Sequence, residues 1–417
     1  MSLAEISPEV RKLAAEAEEG LREVFAGFDS VAEACTLKVM SAFQEFRVSE
    51  ACFASTTGYG YNDLGRDTLD KIYARVFGAE AALVRIGFVN GTHAIATALF
   101  AVCKPGDTLL SVTGTPYDTL QCTIGISGSG DGSLKFYGVD YEQVDLLPSG
   151  EPDIDGIKKA ASNLKVGAVT IQRSRGYALR RAFGIDDIEK IVQAVREVNP
   201  RANILVDNCY GEFTELREPT DVGADLIAGS LIKNPGGGLA PTGGYIAGTA
   251  ELVERAAIRM TTPGIGGECG STLGNNRLIY QGFFMAPHIV AQALKTAAFC
   301  AGLMERLGLK SSPAPAEARH DIIQMIEFGS AKKLLRFCRG IQSGSPVDSF
   351  VTPVPWAMPG YEDEVVMAAG AFIQGSSIEL SCDGPMREPF LGFMQGGLTY
   401  ESGKLGVMLA ADQILSM

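Results

Sequence analysis

The feature that most constrains the fold is an alternation of short apolar runs with amphipathic segments between about residues 80 and 250. Strand–helix alternation with connections this short is typical of an α/β fold, in which a mostly parallel sheet carries helices on both faces. The predicted strands are AALVRI (81–86), TLLSVT (108–113), LKFYGVD (134–140), VGAVTIQR (166–173), NILVDN (203–208), DLIAGS (225–230) and GGYIAG (243–248). The clearest helix pattern between them is 185–198, where Asp186 is placed to cap the start.

The length and the changes of pattern predict three parts. At roughly 150 residues per domain, 417 residues suggest two or three domains. Residues 1–50 repeat apolar positions at helical spacing and are expected to form an N-terminal helical arm. We expect a large α/β domain over 51–290 and a smaller C-terminal α+β domain over 291–417. The smaller domain contains a predicted strand in FIQGSSIELSC (372–382) and a terminal helix after Ser402.

Composition and charge exclude several classes of protein. A net charge of −13 argues against a nucleic-acid partner, which needs clustered Lys and Arg. The charge-free segment 86–103 is interrupted by polar residues at 90–93, so we expect no membrane partner. Nine cysteines without a CxxC pair and three scattered histidines predict neither a disulfide framework nor a metal site. An acidic amphipathic N-terminus is unlike a signal peptide, so a cytoplasmic location is expected.

Lys233 follows a predicted strand directly and precedes the Gly-rich segment NPGGGLAPTGG. A lysine there would lie at the carboxyl edge of the sheet, where open α/β sheets bind ligands. The segment is not a nucleotide-binding P-loop, because in that motif the lysine comes after the glycines and a Ser or Thr follows it. An ordinary surface lysine is the alternative.

Asp207 ends the predicted strand NILVD in the same α/β unit. Taken alone, an aspartate at a strand end is most often a cap or a turn former. Pyridoxal phosphate (PLP), however, requires both a lysine amine and a carboxylate against its pyridine nitrogen. The pairing of Asp207 with Lys233 at one sheet edge therefore predicts a PLP site.

Two further segments fit the same edge. Gly91 and Thr92 stand where a strand gives way to a helix, and a helix N-terminus with free N–H groups is suited to bind a phosphate. Tyr117 follows the next strand, and its ring could stack on a planar cofactor. The plainer alternatives are a tight turn at Gly91 and ordinary packing of Tyr117.

Together, NGTHAI (90–95), Tyr117, VDNCY (206–210) and SLIK (230–233) resemble the fold-type-I PLP enzymes of the cysteine and methionine metabolism group. Four longer segments resemble its aluminium-resistance or methionine γ-lyase-like branch, which is related to cystathionine β-lyase. They are GYGYNDLGRDTLDKIYARVFGAE, QRSRGY, GGGLAPTGGYIAG and QGGLTYE. The resemblance spans roughly residues 50–417.

The resemblance implies roles for individual residues. Lys233 would form a Schiff base with the cofactor and move the substrate α-proton, Asp207 would pair with the pyridine nitrogen, and Tyr117 would stack on the ring. These three are the predicted catalytic residues. Backbone N–H groups of Gly91 and Thr92, together with the Ser230 hydroxyl, would bind the phosphate.

The resemblance also implies residues that would contact the cofactor across a subunit interface and residues that would bind the substrate. The relatives complete the phosphate site with a Tyr-x-Arg segment of a neighbouring subunit, whereas this chain has Tyr59-Gly-Tyr61, with Arg66 as a replacement for the missing charge. A guanidinium can donate two parallel hydrogen bonds to the α-carboxylate of the substrate. Arg387 is the favoured candidate for this contact, and Arg175 is the second.

The resemblance implies a PLP-dependent carbon–sulfur lyase acting on a small sulfur-containing amino acid. We expect β- or γ-elimination to thiol, 2-oxo acid and ammonia. The expected assembly is a homo-oligomer, a dimer at least and a tetramer by analogy, with shared active sites. Two alternatives stay open: another PLP reaction, such as transamination or racemisation, and a PLP-fold protein of little turnover with a regulatory role in stress.

Overall fold

The computed structural model describes residues 6–358 and 363–416, and a seven-stranded sheet forms the centre of the larger part. Its strands are β1 (Ala81–Arg85), β2 (Thr108–Ser111), β3 (Asp140–Gln143), β4 (Val166–Gln172), β5 (Asn203–Asp207), β6 (Leu226–Ser230) and β7 (Gly244–Gly248). The spatial order is β1-β7-β6-β5-β4-β2-β3. Only β7 runs antiparallel to its neighbours, which confirms the mostly parallel sheet.

Helices cover both faces of this sheet. The helices are α1 (Pro8–Glu19), α2 (Arg22–Glu45), α3 (Leu64–Val76), α4 (Gly91–Val102), α5 (Asp118–Ile124), α6 (Ile154–Ala161), α7 (Ile185–Val198), α8 (Ala250–Met260), α9 (Asn276–Arg306), α10 (Ala331–Ser343) and α11 (Tyr400–Leu415). In β5, Ile204 and Val206 pack into the core that α2, α3, α7 and α9 share, while Leu205 packs into the core under α4 and α8. This alternation follows from the two-residue period of a strand.

A second, antiparallel sheet forms the smaller C-terminal α+β part. Its strands are β8 (Lys310–Ser312), β9 (Ile323–Glu327), β10 (Trp356–Ala357), β11 (Glu364–Ala369), β12 (Ser381–Pro385) and β13 (Leu391–Gln395). They are ordered β10-β11-β12-β13-β9-β8, and α10 and α11 pack against them. Helix α9 contributes to the cores of both parts and crosses position 290, so the exact domain boundary stays a prediction.

Two strand predictions were wrong in position. Residues 134–138 form turns, and the strand begins only at Asp140, because Gly138 has a left-handed φ of 81° that ends extended pairing. The segment 372–380 folds back on itself instead of extending. The Glu379 carboxylate accepts hydrogen bonds from the backbone N–H groups of Phe372 and Ile373, both at 2.9 Å.

Helix α7 has the predicted bounds but a different cap. Asp187 Oδ2 accepts a hydrogen bond from the Gly184 N–H at 3.0 Å, whereas Asp186 pairs with Arg217 on the surface. The helix is flanked by Gly184 at its N-cap, so the carboxylate three residues later reaches back to it.

Within the described ranges, no helix combines the length and the apolar character that crossing a membrane requires. The same residues contain no group of three or more His, Cys, Asp or Glu side chains that could hold a metal ion. All nine cysteines are free thiols.

Candidate active site

A cavity lies between the carboxyl edge of the seven-stranded sheet and the face of the second sheet. Its wall includes Gly91, Tyr117, Asp207 and Lys233, each of which follows a different strand of the large sheet. About 680 Å³ of this region is not filled by protein atoms, and part of that space is open to solvent. The fold therefore brings together residues that are far apart in sequence.

One end of the cavity is built for an anion. Helix α4 begins at Gly91, and Asn90 caps it by accepting a hydrogen bond from the His93 N–H at 2.9 Å. A Cβ added at Gly91 would lie 3.0 Å from Ser230 Cβ, so glycine leaves the space that a phosphate needs. Ser230 Oγ is buried and has no hydrogen-bond partner in the part of the chain that the structure describes. This orphaned donor beside a helix N-terminus fits a bound phosphate.

Lys233 lies in the turn that follows β6, with its amine against an aromatic ring. Lys233 Nζ is 4.1 Å from the centroid of the Tyr210 ring. Helix α9 packs closely against this turn, because a Cβ added at Gly282 would lie only 2.2 Å from the Gly236 carbonyl oxygen. Burial alone would lower the pKa of the Lys233 amine, but the surrounding Cys209, Tyr210 and Asp207 outweigh it and raise that pKa.

Asp207 ends β5 and lines the cavity. Its Oδ1 accepts a hydrogen bond from the Cys209 N–H at 3.1 Å, which fixes the orientation of the carboxylate. Burial raises the pKa of Asp207, and the charge of Lys233 opposes that shift. A carboxylate on the cavity wall is suited to bind a protonated ring nitrogen.

Tyr117 forms part of the wall between the first and the second sheet. Its N–H donates a hydrogen bond to Gln172 Oε1 at 2.9 Å, which connects the loop after β2 to the end of β4. Gly176 approaches the ring so closely that a Cβ there would lie 3.0 Å from Tyr117 Cδ2. The backbone of the loop after β4 therefore restricts where the Tyr117 ring can lie.

The loop after β4 carries Tyr177 into the cavity, and a buried arginine shapes it. Arg180 Nη2 donates to the carbonyl oxygens of Gln172 and Ser174 at 2.7 and 2.6 Å. Ser174 Oγ donates to Asp321 Oδ2 at 2.9 Å, which anchors the loop to the smaller part of the chain. Tyr177 is then held where it lines the cavity.

Neither predicted carboxylate-binding arginine lines this cavity. Arg175 is buried and donates through Nη1 to the Ser312 carbonyl oxygen at 3.0 Å, so its side chain serves the junction between the two parts. Arg387 is paired with Asp363 at 2.9 Å on a neighbouring groove that shares only Tyr177 and Thr119 with the cavity.

Four other residues predicted for the site also lie outside the cavity wall: Ser230, which lies next to Gly91, and Tyr59, Tyr61 and Arg66. Tyr59 and Tyr61 are 85% and 69% exposed, on the loop before α3. Arg66 is buried, pairs with Asp67 and donates weakly to the Gly58 carbonyl oxygen at 3.4 Å. It therefore supports the loop that carries the two tyrosines.

Several residues of the cavity wall were not predicted from the sequence. Tyr177 is the last residue of QRSRGY, Tyr210 ends VDNCY, and Asp383 lies four residues before Arg387. The segments were identified, but the strand register and loop path decide which side chain faces the cavity. Asp383 could have been found from the alternation of β12, whose residues point to opposite faces in turn.

The phosphate end allows a direct test of cofactor binding. Ser230→Ala should weaken the affinity for PLP about tenfold or more, since a hydrogen bond to a charged group contributes about 1.5–3 kcal/mol. Titration of the cofactor-free protein by fluorescence quenching measures this. Ser162→Ala is the matched control, because that hydroxyl bonds the Lys159 carbonyl oxygen on the surface. Equal affinities of Ser230→Ala and the wild type would contradict a phosphate at this position.

Comparison with known proteins agrees with this geometry. The family model for methionine γ-lyase matches residues 10–415. The chain is 49% identical to the uncharacterised protein YnbB of Bacillus subtilis over 97% of this chain and 96% of that one. It is 26% identical to L-methionine γ-lyase of Pseudomonas putida over 52% of this chain and 50% of that one.

A solved structure matches over nearly the whole length. The carbon–sulfur lyase involved in aluminium resistance from Clostridium novyi NT has 53% identity and a TM-score of 0.95, covering 98% of this chain and 96% of that one. The two-part architecture is that of fold-type-I PLP-dependent enzymes. The family implies pyridoxal 5′-phosphate as the cofactor, and the chain belongs to the methionine γ-lyase family.

Proposed function

We propose that this protein is a PLP-dependent carbon–sulfur lyase that acts on a sulfur-containing amino acid. The observation that carries the proposal is the convergence of Lys233, Asp207 and the N-terminus of α4 on one cavity. The relatives add support, because the Clostridium novyi protein is named a carbon–sulfur lyase and the Pseudomonas putida protein is named for L-methionine.

The cofactor would be held at three places. Gly91, Thr92 and Ser230 would bind the phosphate, Asp207 would face the pyridine nitrogen, and Tyr117 would pack on the ring. When bound, PLP supplies an electron-withdrawing ring that stabilises negative charge on the substrate Cα. The Asp207 carboxylate holds a proton on the ring nitrogen and so strengthens that withdrawal.

Lys233 would provide the proton transfer. Lys233 Nζ would accept the proton from the Cα of the bound substrate. The Tyr210 ring restricts the amine to one side of the cavity and stabilises its protonated form by a cation–π contact. The carbon–sulfur bond then breaks, the sulfur leaves as a thiol, and one water molecule converts the remainder into a 2-oxo acid and ammonia.

Product analysis tests this function. The PLP-loaded protein is incubated with L-cystathionine, L-cysteine and L-methionine, and thiol, 2-oxo acid and ammonia are measured. We expect them in equal amounts from at least one substrate, with pyruvate for β- and 2-oxobutanoate for γ-elimination. A 2-oxo acid without ammonia would instead indicate transamination, and a D-amino acid would indicate racemisation. No product from any amino acid would favour a regulatory PLP-fold protein.

We also propose that the active protein is a homo-oligomer, a dimer at least. Tyr59 and Tyr61 lie largely exposed on a loop that is held by a hydrogen bond from the Gly270 N–H to the Gly58 carbonyl oxygen, at 2.9 Å. A second copy that covers this loop would remove the two rings from water. Sedimentation velocity should give a multiple of 44.2 kDa, and a monomeric mass would contradict the proposal.

A further inference from the structure

The charges that line the cavity are unusual for a site that binds an amino acid. Within the part of the chain that the structure describes, the wall carries one amine, Lys233, two carboxylates, Asp207 and Asp383, and no arginine. The proposed function uses Lys233 and Asp207. Asp383 has no part in it, although its negative charge lies in the same cavity.

The Asp383 carboxylate is only half satisfied. Its side chain is 8% exposed, and the Tyr177 hydroxyl donates a hydrogen bond to Oδ2. Oδ1 is buried and has no hydrogen-bond partner among residues 6–358 and 363–416. A buried carboxylate oxygen without a donor costs free energy, because the solvation it lost is not replaced. Because Asp383 lines the cavity, a ligand bound there can supply the missing donor.

The surroundings hold Asp383 in this position. It lies in the middle of β12, where it pairs with Phe393 on one side and Met367 on the other. The Tyr177 ring packs 5.0 Å from the Phe393 ring, so the residue that bonds Oδ2 is itself fixed. A carboxylate held this way cannot turn to solvent, and its free oxygen is preorganised for a ligand.

We propose that Asp383 Oδ1 binds a protonated amine on the side chain of the amino-acid substrate. The α-amine is unavailable for this contact, because the proposed function joins it to the cofactor. The substrate class is then an amino acid with a second ammonium group beyond its sulfur, in preference to a purely apolar thioether. This inference rests on the proposed function for the position of the cofactor.

A pair of isosteric substrates tests the preference. S-(2-aminoethyl)-L-cysteine and S-propyl-L-cysteine differ only in a terminal ammonium against a methyl group, and homocysteine analogues serve if cleavage is at Cγ. In the holoenzyme, kcat/KM should favour the amine about tenfold or more. In Asp383→Asn the ratio should fall to about one. A wild-type ratio near one, or a ratio kept in Asp383→Asn, would overturn the proposal.

A matched control and a folding check accompany the variant. Asp348→Asn removes a carboxylate from an exposed position in the same part of the chain and should keep the wild-type ratio. The visible absorbance of the bound cofactor shows that Asp383→Asn has folded. The ratio of kcat/KM for the two substrates is measured on the wild type itself, so it tests the proposal even if Asp383→Asn is unstable.

Binding without cleavage separates this inference from the lyase function. L-Ornithine and L-norleucine have the same number of side-chain atoms and no carbon–sulfur bond. Calorimetric titration of the holoenzyme should show about tenfold tighter binding of ornithine, lost in Asp383→Asn. If no sulfur amino acid is cleaved but this preference holds, the lyase proposal fails and the Asp383 assignment stands. Equal binding of the two overturns the assignment whatever the turnover.

The preference should also depend on pH. Burial raises the pKa of Asp383 to about 6, and the hydrogen bond from Tyr177 opposes that shift. The other titratable groups of the cavity wall are Lys233, Asp207, the Cys209 thiol and the hydroxyls of Tyr117, Tyr177 and Tyr210. Because the carboxylate attracts an ammonium only when ionised, the substrate ratio should fall as the pH decreases from 8 to 5. A ratio independent of pH over this range would contradict an ionic contact.

Discussion

Lys233→Ala is expected to lower kcat at least about a thousandfold, because it removes the amine that accepts the substrate α-proton, and general-base groups contribute about 10²–10⁴. The variant should also lose its covalent link to the cofactor. Borohydride reduction followed by peptide mass mapping measures the link directly. In the wild type the cofactor mass should be found on the peptide that contains Lys233.

Lys104→Ala is the control for this substitution, since Lys104 is exposed in the same part of the chain and lies outside the cavity. It should keep both turnover and the reduced adduct. An adduct on another lysine, or full turnover of Lys233→Ala, would show that the amine at this edge of the sheet is not the one that the cofactor uses.

Asp207→Asn should lower kcat about a hundredfold or more while the cofactor stays bound. The amide keeps the shape of the side chain and the hydrogen bond that Oδ1 accepts from the Cys209 N–H, but it has no charge to hold a proton on the ring nitrogen. Losing one electrostatic partner of a transition state typically costs about 10²–10³ in rate. Steady-state kinetics and cofactor absorbance measure both effects.

Asp131→Asn changes an exposed loop carboxylate and is expected to leave the rate unchanged. A second substitution, Asp207→Glu, tests whether the charge is what matters. It retains the negative charge and should therefore be more active than Asp207→Asn. If Asp207→Asn were as active as the wild type, the charge of Asp207 would have no role in the reaction.

The two arginines chosen from the sequence stay predictions for the substrate carboxylate, and neither lines the cavity. Both were selected because a guanidinium suits a carboxylate, Arg387 also for its place in the C-terminal domain and Arg175 for its place after a strand. Where each side chain points depends on neighbours far away in the chain. Arg175 turns to the Ser312 carbonyl oxygen, and Arg387 turns outward to Asp363.

Local sequence by itself determined the elements and the edge at which the chemistry lies. Apolar runs bounded by turn residues mark β5 and β6, and the rule that parallel strands share a carboxyl edge puts Asp207 and Lys233 on the same side. The left-handed Gly138 and the fold-back onto Glu379 show the limit of this reasoning. At those points a single backbone angle or a side-chain hydrogen bond outweighs β-propensity.

Tertiary structure alone decided which side chains face the cavity and which charges remain unpaired. Asp383 is separated in sequence from Tyr177, and only the approach of the second sheet to the loop after β4 joins them. The missing hydrogen bonds of Asp383 Oδ1 and Ser230 Oγ can likewise be identified only from the positions of their neighbours in the folded chain. Whether a buried polar atom has a hydrogen-bond partner depends on how the side chains around it pack. The order of residues along the chain does not predict it.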